Sequence, residues 1–213
     1  MNDAVSFSRI CLCIRLPRWG FAAVVAVALT AGCQSPEPTF VTLDAVPPTS
    51  PPPEAIATPI AVGEVDLPPD VDRKSLVVRH GSSRVEIDPT VRWAAPLEEL
   101  VRQTLRDNLA GRLPAGAVIG PSQRLDATGG NVLTVVFETF AVDAEGGVEL
   151  AATWCLLNRD GESLLTRNES LETKAKSRAP QDMARAMSEA LGALADRVVQ
   201  AFAKQSTDPA MHE

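Results

Sequence analysis

The sequence is poor in the residues that most often carry catalysis, metal binding or crosslinks. Its 213 residues include no tyrosine, two histidines and four cysteines, and aromatic residues make up 4% of the chain. The histidines, His80 and His212, lie far apart in the sequence, which argues against a Ser-His-Asp triad, a zinc site or a haem. Neither a Walker nor a dinucleotide-binding motif follows Gly146-Gly147, so this pair indicates a turn and not a phosphate site.

Long hydrophobic runs are also missing. The most apolar stretch, Phe21–Cys33, is about a dozen residues long, whereas a helix that spans a bilayer needs roughly 20. Basic residues precede this stretch, which ends in Thr-Ala-Gly-Cys. The layout resembles a bacterial lipoprotein signal, with cleavage between Gly32 and Cys33 and lipid attached to Cys33. Thr30 stands where such signals usually have leucine. A transmembrane anchor or a plain cleaved signal peptide is the alternative.

Removal of residues 1–32 changes both the thiol count and the charge. Cys11 and Cys13 would leave with the signal peptide and Cys33 would carry lipid, so Cys155 stays as a free thiol without a disulfide partner. Loss of three arginines and one aspartate takes the net charge from −7 to −9. An acidic chain is a poor candidate for binding nucleic acid or for electrostatic adhesion to anionic lipid. We therefore expect membrane attachment through the lipid anchor, and no cofactor or metal beyond the covalent lipid on Cys33.

The mature sequence divides into a tether, one domain and a tail. Residues 33–57 comprise the lipidated N-terminus and a proline-rich tether, which contains a predicted short strand at 39–43. The prolines indicate an extended chain that is either a spacer or a strap across the domain. The domain is predicted at 58–204. Residues 205–213 are polar and are predicted to be a disordered tail.

Hydrophobic periodicity predicts an α/β fold of the α+β type. Alternating apolar residues and turn residues mark strands, and apolar stripes at spacings of three and four mark two helices. The predicted elements are a strand at 60–67, a hairpin of 76–79 and 84–87, a helix at 96–113, a meander of 132–142, 148–156 and 163–173, and a helix at 180–204. An amphipathic helix buries its apolar face against a sheet. We therefore expect a single domain with a mixed or antiparallel sheet and two helices packed on it, in the order β-ββ-α-βββ-α.

Several segments of the mature chain resemble a known family. They are Phe40-Val41-Thr42-Leu43, Val62–Pro68, Val71–Arg79, Arg92-Trp93-Ala94-Ala95-Pro96-Leu97-Glu98, Gly147–Trp154 and Ala186–Leu194. Together with the lipoprotein signal, they are similar to the PqiC-type family, the auxiliary lipoproteins of ABC transporters with MCE-domain components. The resemblance covers nearly all of the mature chain. It departs from the family at Phe40, where the family often has tyrosine.

The resemblance implies a membrane-anchored accessory subunit that faces the periplasm and has no chemistry of its own. Its implied partner is an MCE-domain transport protein of the kind that moves lipid between the two membranes. Gln34 follows the acylated cysteine, where an aspartate would favour retention in the inner membrane, so the outer membrane is the expected location. A homo-oligomer is plausible because ring-shaped partners favour cyclic accessories. The alternative function is an envelope scaffold or activator that binds a peptidoglycan synthase or another outer-membrane complex.

Four residues outside the signal are candidates for partner contact: Asp72, Arg73, Arg92 and Trp93. Three of them also have a structural interpretation. Asp72 and Arg73 suit a turn or a rim ion pair, which stabilises little when exposed. Trp93 precedes the first helix and suits a buried aromatic that fixes the start of that helix.

Overall fold

The computed structural model describes residues 37–52, 58–120 and 130–207, with side chains up to Ala203. The predicted signal peptide, with Gly32 and Cys33, and the tail beyond Thr207 lie outside the described residues. A compact unit begins at Pro38. Among the described helices, none is long and apolar enough to cross a membrane.

A mixed sheet contains all seven strands of the described chain. They are β1 Thr39–Val41, β2 Ile60–Asp66, β3 Ser75–His80, β4 Arg84–Trp93, β5 Asn131–Asp143, β6 Gly147–Leu157 and β7 Ser163–Lys174. The spatial order is β1-β4-β3-β5-β6-β7, and β2 pairs with the first half of β5. The pairs β1–β4, β2–β5 and β3–β5 are parallel, and the others are antiparallel. The predicted mixed sheet is confirmed, and the polar strand β7 lies at its edge.

Tight turns close the meander of β5, β6 and β7. Gly146 and Gly161 adopt left-handed backbone conformations, with φ of +81° and +82°. Glycine accepts this conformation without a steric penalty from Cβ. Gly161 lies in a turn in which its N–H donates to the carbonyl of Asn158 at 3.1 Å. The glycines therefore fix the two reversals that the sequence predicts.

Two helices in the described chain pack on one face of the sheet. Helix α1 spans Leu97–Arg112 and helix α2 spans Pro180–Thr207. Glu98 and Glu99 lie in the first turn of α1, where negative charge interacts favourably with the helix dipole. Pro114 lies just beyond α1, and a proline there cannot continue the helix. The predicted α+β arrangement of elements is thus confirmed.

The hydrophobic core lies between the two helices and the inner face of the sheet. On β6 the buried residues alternate with more exposed ones, and Leu150 and Trp154 have no exposed side-chain surface. Trp154 meets Phe202 of α2 edge to face, with ring centroids 6.0 Å apart. Such a pair adds about 0.5–1.5 kcal/mol beyond the burial of its apolar surface. The core therefore ties the middle of the sheet to the end of α2.

The structure moves some predicted boundaries. Strand β1 ends at Val41 and not at residue 43, because the chain then leaves the sheet to cross α2. Strand β4 runs on to Trp93 although Pro89 interrupts it; the pairing of β3 with β4 is irregular in this stretch, so the missing proline N–H breaks no regular ladder. Helix α2 continues to Thr207, so the first three residues of the predicted tail 205–213 are helical.

Candidate functional site

The candidate residues Asp72 and Arg73 lie in an exposed turn before β3. The N–H groups of Val71 and Asp72 both donate to the carbonyl of Pro68, at 3.0 Å each. The Nε of Arg73 donates to the carbonyl of Asp70 at 3.2 Å. The described residues contain no ion pair between Asp72 and Arg73; the ion pair at this rim joins Asp70 to Arg79 instead. Of the two structural interpretations, Asp72 and Arg73 thus follow the turn, and Arg73 donates to backbone.

The candidates Arg92 and Trp93 point to opposite sides of β4. Trp93 is 5% exposed and belongs to the core. The backbone N–H of Trp93 donates to the carbonyl of Lys74 at 2.9 Å. The backbone N–H of Ala94 donates to the carbonyl of Val41 at 2.8 Å. Trp93 therefore fixes the chain where it enters α1, as its structural interpretation predicts, and its side chain is not available at the surface.

Arg92 lies next to an exposed aromatic residue at the edge of the sheet. In the parallel pairing of β1 with β4, Phe40 is opposite Arg92, so their side chains share a face. Phe40 is 60% exposed. The Nε of Arg92 donates to the carbonyl of Pro89 at 3.0 Å, and Ser75 of β3 is its neighbour on the other side. We call Phe40 and Arg92 the anchor edge, because β1 is the strand nearest to Cys33 in the sequence.

The part of the proline-rich segment that the structure describes next to β1 is a strap across the domain and not a free spacer. We define the strap as residues 42–49. The N–H of Asp44 donates to Oγ of Ser188 at 3.1 Å. The N–H of Val46 donates to Oδ1 of Asn108 at 2.9 Å. The strap therefore contacts both helices, and α1 and α2 bind its backbone through side chains.

A buried arginine lies under the strap. The side chain of Arg112 is 3% exposed, and its Nε is 2.6 Å from Oδ1 of Asp196 on α2. Its Nη1 donates to the carbonyl of Val46 at 2.9 Å and to Oδ1 of Asn108 at 2.9 Å. At the far end of the strap, Oγ1 of Thr49 donates to Oδ2 of Asp196 at 3.1 Å. One ion pair thus joins α1, α2 and the strap.

Close approach at this point depends on a glycine. A Cβ atom added to Gly192 would lie 3.0 Å from Cβ of Val46 and 3.3 Å from Nη2 of Arg112. The hydrogen of glycine lets the strap and the guanidinium lie directly on α2. Ser188, Gly192 and Asp196 follow one another at intervals of four, so they form one face of the helix. This face is the seat of the strap.

Asn108, Arg112 and Asp196 are not among the residues predicted from the sequence, although the helical pattern holds a signal for two of them. Asn108 and Arg112 continue the buried side of α1 at intervals of four from Thr104. A polar residue on an apolar helix face indicates a buried partner. Which partner it meets depends on the packing of α1 against α2 and the strap, which helical spacing does not specify.

Cys155 and His80 are two further side chains with potential for chemistry in the described residues, and each has a polar neighbour. The described part of the chain holds no group of three or more histidine, cysteine, aspartate or glutamate residues that would suit a metal ion. Cys155 is half-buried, with its sulfur 3.1 Å from Oγ of Ser163. Nε2 of His80 is 2.8 Å from Oε2 of Glu86 in an exposed pair at the end of the β3–β4 hairpin.

Two shallow clefts flank these features. A cleft of about 500 Å³ runs between the strap and α2, with Phe40, Val46 and Arg185 among its lining residues. A smaller one of about 250 Å³ lies between the hairpin and the start of α2, beside His80 and Met183. Neither of these two clefts brings together a nucleophile, a base and an oxyanion donor.

Comparison with known proteins agrees with this architecture. The model of a family described as the ABC-type transport auxiliary lipoprotein component matches residues 42–199. The crystal structure of an uncharacterised protein gives a TM-score of 0.63 at 21% identity and covers 78% of this chain and 99% of its own. Protein XCC0632 from Xanthomonas campestris gives a TM-score of 0.61 at 16% identity, with coverages of 79% and 98%. At these identities the two structures support the fold alone. No curated relative matches the chain.

The family match covers every element that the strap joins. It begins at Thr42, in the strap, and ends at Val199, in α2, so it includes α1 and the strands β2 to β7. The ion pair between Arg112 and Asp196 lies inside this range. Because well over half of the sequence is matched, the chain belongs to the family of ABC-type transport auxiliary lipoprotein components.

Proposed function

We propose that this protein is a non-catalytic, acylated subunit of an ABC-type transport system that contains an MCE-domain protein. Signal cleavage between Gly32 and Cys33 leaves an N-terminal cysteine that carries lipid. The subunit then attaches the transport assembly to the outer membrane, on its periplasmic side, and supports lipid traffic between the membranes and envelope integrity. The family match over residues 42–199 is the observation that carries this proposal.

Two features of the chain support the role of an anchored adaptor. The pairing of β1 and the contacts of the strap make residues 39–49 part of the folded domain, so an anchor attached upstream of them acts on the sheet. The described surface offers exposed charged turns, including Asp72 and Arg73, and these remain our candidates for contact with the partner. Trp93 is no longer a candidate for contact with the partner, because its side chain is buried.

Affinity purification tests the proposal directly. The tagged, full-length protein is extracted from membranes in detergent, and co-purifying proteins are quantified by mass spectrometry. We expect an MCE-domain protein at a stoichiometric level. The matched control is Cys33→Ala, which should lose the membrane but keep the fold. Recovery of a peptidoglycan synthase without an MCE-domain protein would contradict the transport role and favour an envelope scaffold.

The mass of the purified complex tests a further part of the proposal. A cyclic homo-oligomer would match a ring-shaped partner. Native mass spectrometry of the detergent-extracted protein gives the number of copies. A strictly monomeric subunit, alone and in the complex, would contradict the cyclic arrangement without affecting the anchoring role.

A further inference from the structure

We propose that the anchor edge, Phe40 with Arg92, is a second membrane contact that lies on the phospholipid headgroups of the membrane in which the acyl chains are inserted. This inference rests on the proposed acylation of Cys33 and extends it. The acyl chains supply the attachment, and the anchor edge sets which side of the domain faces the lipid.

The strap shortens the free tether between Cys33 and the domain. If residues 33–57 were a free spacer, they could span more than about 80 Å. The structure instead fixes residues 39–41 in the sheet and holds the strap, residues 42–49, against the two helices. Pro38, where the compact unit begins, is then only five positions after Cys33. Five residues reach at most about 18 Å, so the domain is held close to the membrane, with β1 as its nearest strand in the chain.

Phe40 exposes an aromatic side chain on β1, the strand nearest to Cys33 in the sequence. Phe40 is 60% exposed, the highest value among the large hydrophobic residues in the described part of the chain. It lies seven residues from Cys33, a path of at most about 25 Å. Exposed aromatic rings near an anchor bind at the boundary between headgroups and acyl chains. A phospholipid surface thus gives Phe40 the apolar environment that the fold does not.

The positive charge of Arg92 also favours contact with phospholipid headgroups. Arg92 shares the face of Phe40 and donates through Nε to the carbonyl of Pro89. No carboxylate of the described residues lies within 4.0 Å of its guanidinium in an ion pair. Arginine combines an apolar stem with a charged end that binds phosphate. Lys74, whose carbonyl accepts from Trp93, adds an exposed cation to the same end of the sheet.

The anchor edge is too small to hold the protein on a membrane by itself. The mature chain carries a net charge of −9, and Asp72 is exposed in the turn before Lys74. The lipid anchor therefore supplies the affinity, and the edge supplies orientation. Loss of Phe40 should leave the protein bound and change how the domain lies on the lipid.

The test places a fluorescent probe on the strand at each edge of the sheet, β1 and β7. Acylated Phe40→Trp is reconstituted in vesicles of phosphatidylethanolamine and phosphatidylglycerol, with and without brominated acyl chains that quench tryptophan on contact. The matched control is Leu164→Trp, because Leu164 is 39% exposed on β7 at the opposite edge of the sheet. Trp93 and Trp154 contribute the same buried background in both variants. Flotation of the vesicles measures attachment separately.

The expected result is a blue shift and a several-fold larger loss of emission by lipid bromine for Phe40→Trp than for Leu164→Trp. Adding Arg92→Ala to Phe40→Trp should reduce that quenching while flotation is unchanged. Equal quenching of the two probes on floating vesicles would overturn the anchor edge and leave the lipid anchor intact. A Phe40→Trp probe shielded from aqueous iodide but not quenched by bromine would also overturn it, since protein would then cover the edge. Failure of both variants to float would refute the acylation itself.

Discussion

Arg112 at the end of α1 and Asp196 in the middle of α2 form an ion pair over which the N-terminal strap lies. Their Nε and Oδ1 atoms are 2.6 Å apart, with the side chains 3% and 16% exposed. Burial of a charge is costly unless it is paired and hydrogen-bonded. Here the strap completes the hydrogen bonding of both partners, so the pair and the strap are expected to depend on each other.

Removal of one partner should therefore destabilise the domain. We expect Arg112→Ala to lower the free energy of unfolding by about 3–5 kcal/mol, because Asp196, with a side chain only 16% exposed, loses its counter-charge. Arg102→Ala is the control on the same helix, since Arg102 pairs with Glu98 and Glu99 at the surface and should change stability by less than about 1 kcal/mol. Urea unfolding of the mature protein in detergent measures both. Equal effects of the two substitutions would show that the buried pair contributes little.

The seat of the strap gives a second prediction. Gly192→Ala adds a Cβ close to Val46 and to the guanidinium of Arg112, and crowding of a packed contact costs roughly 1–3 kcal/mol. Gly111→Ala, on the outer side of α1, meets nothing within 4 Å and should stabilise the helix by about 0.5–1 kcal/mol. Thermal unfolding should shift in opposite directions. Proteolysis within the strap should increase for Gly192→Ala alone.

The aromatic residues separate core from surface. Trp154→Ala should cost about 3–5 kcal/mol, because a fully buried side chain is removed and a cavity replaces it. Phe40→Ala, at an exposed position, should change the free energy of unfolding by no more than about 0.5 kcal/mol. Chemical denaturation followed by circular dichroism compares them. A large loss of stability in Phe40→Ala would mean that Phe40 packs against the domain, contrary to its exposure.

Attachment to the membrane should depend on one cysteine. Cys33→Ala should prevent incorporation of labelled palmitate and move the protein to the soluble fraction, because the acyl chains are the anchor. Cys155→Ser should leave labelling and fractionation unchanged, since that thiol lies among the side chains of β6 and β7. A Cys33→Ala protein that stays on the membrane and is cleaved normally would refute the lipoprotein interpretation.

Titration of Asp88 should report on the bend around Pro89. Hydrogen bonds from the hydroxyl and the N–H of Thr90 lower the pKa of the Asp88 carboxyl. Because the pKa is lower in the folded state, the stabilisation is present above the unfolded pKa and is lost as the pH falls through the folded one. Thr90→Val should raise the pKa towards its ordinary value in carboxyl-carbon NMR. Thr139→Val, on β5, should leave the Asp88 pKa unchanged.

Local sequence features determined much of this protein. The period of two in β6 and the helical spacing in α1 and α2 predict the elements, since each pattern has to place its apolar side on the core. Gly146 and Gly161 mark the turns because few other residues accept a positive φ. Short segments such as Arg92–Glu98, with the lipoprotein signal, resemble the family whose model matches residues 42–199. All of these depend on residues that are close together in the chain.

Tertiary structure alone decided how distant segments meet. The sequence left the proline-rich stretch open between spacer and strap, since an extended chain suits both. The choice depends on Asn108, Arg112, Ser188 and Asp196, which are remote in sequence and converge on the strap when α1 packs against α2. In the same way, Trp93 and Arg92 are neighbours in the chain, but the sheet buries one and exposes the other beside Phe40. Burial and pairing between residues far apart in the sequence are properties of the packed fold. They decide that the strap belongs to the domain and that Arg92 lies beside Phe40.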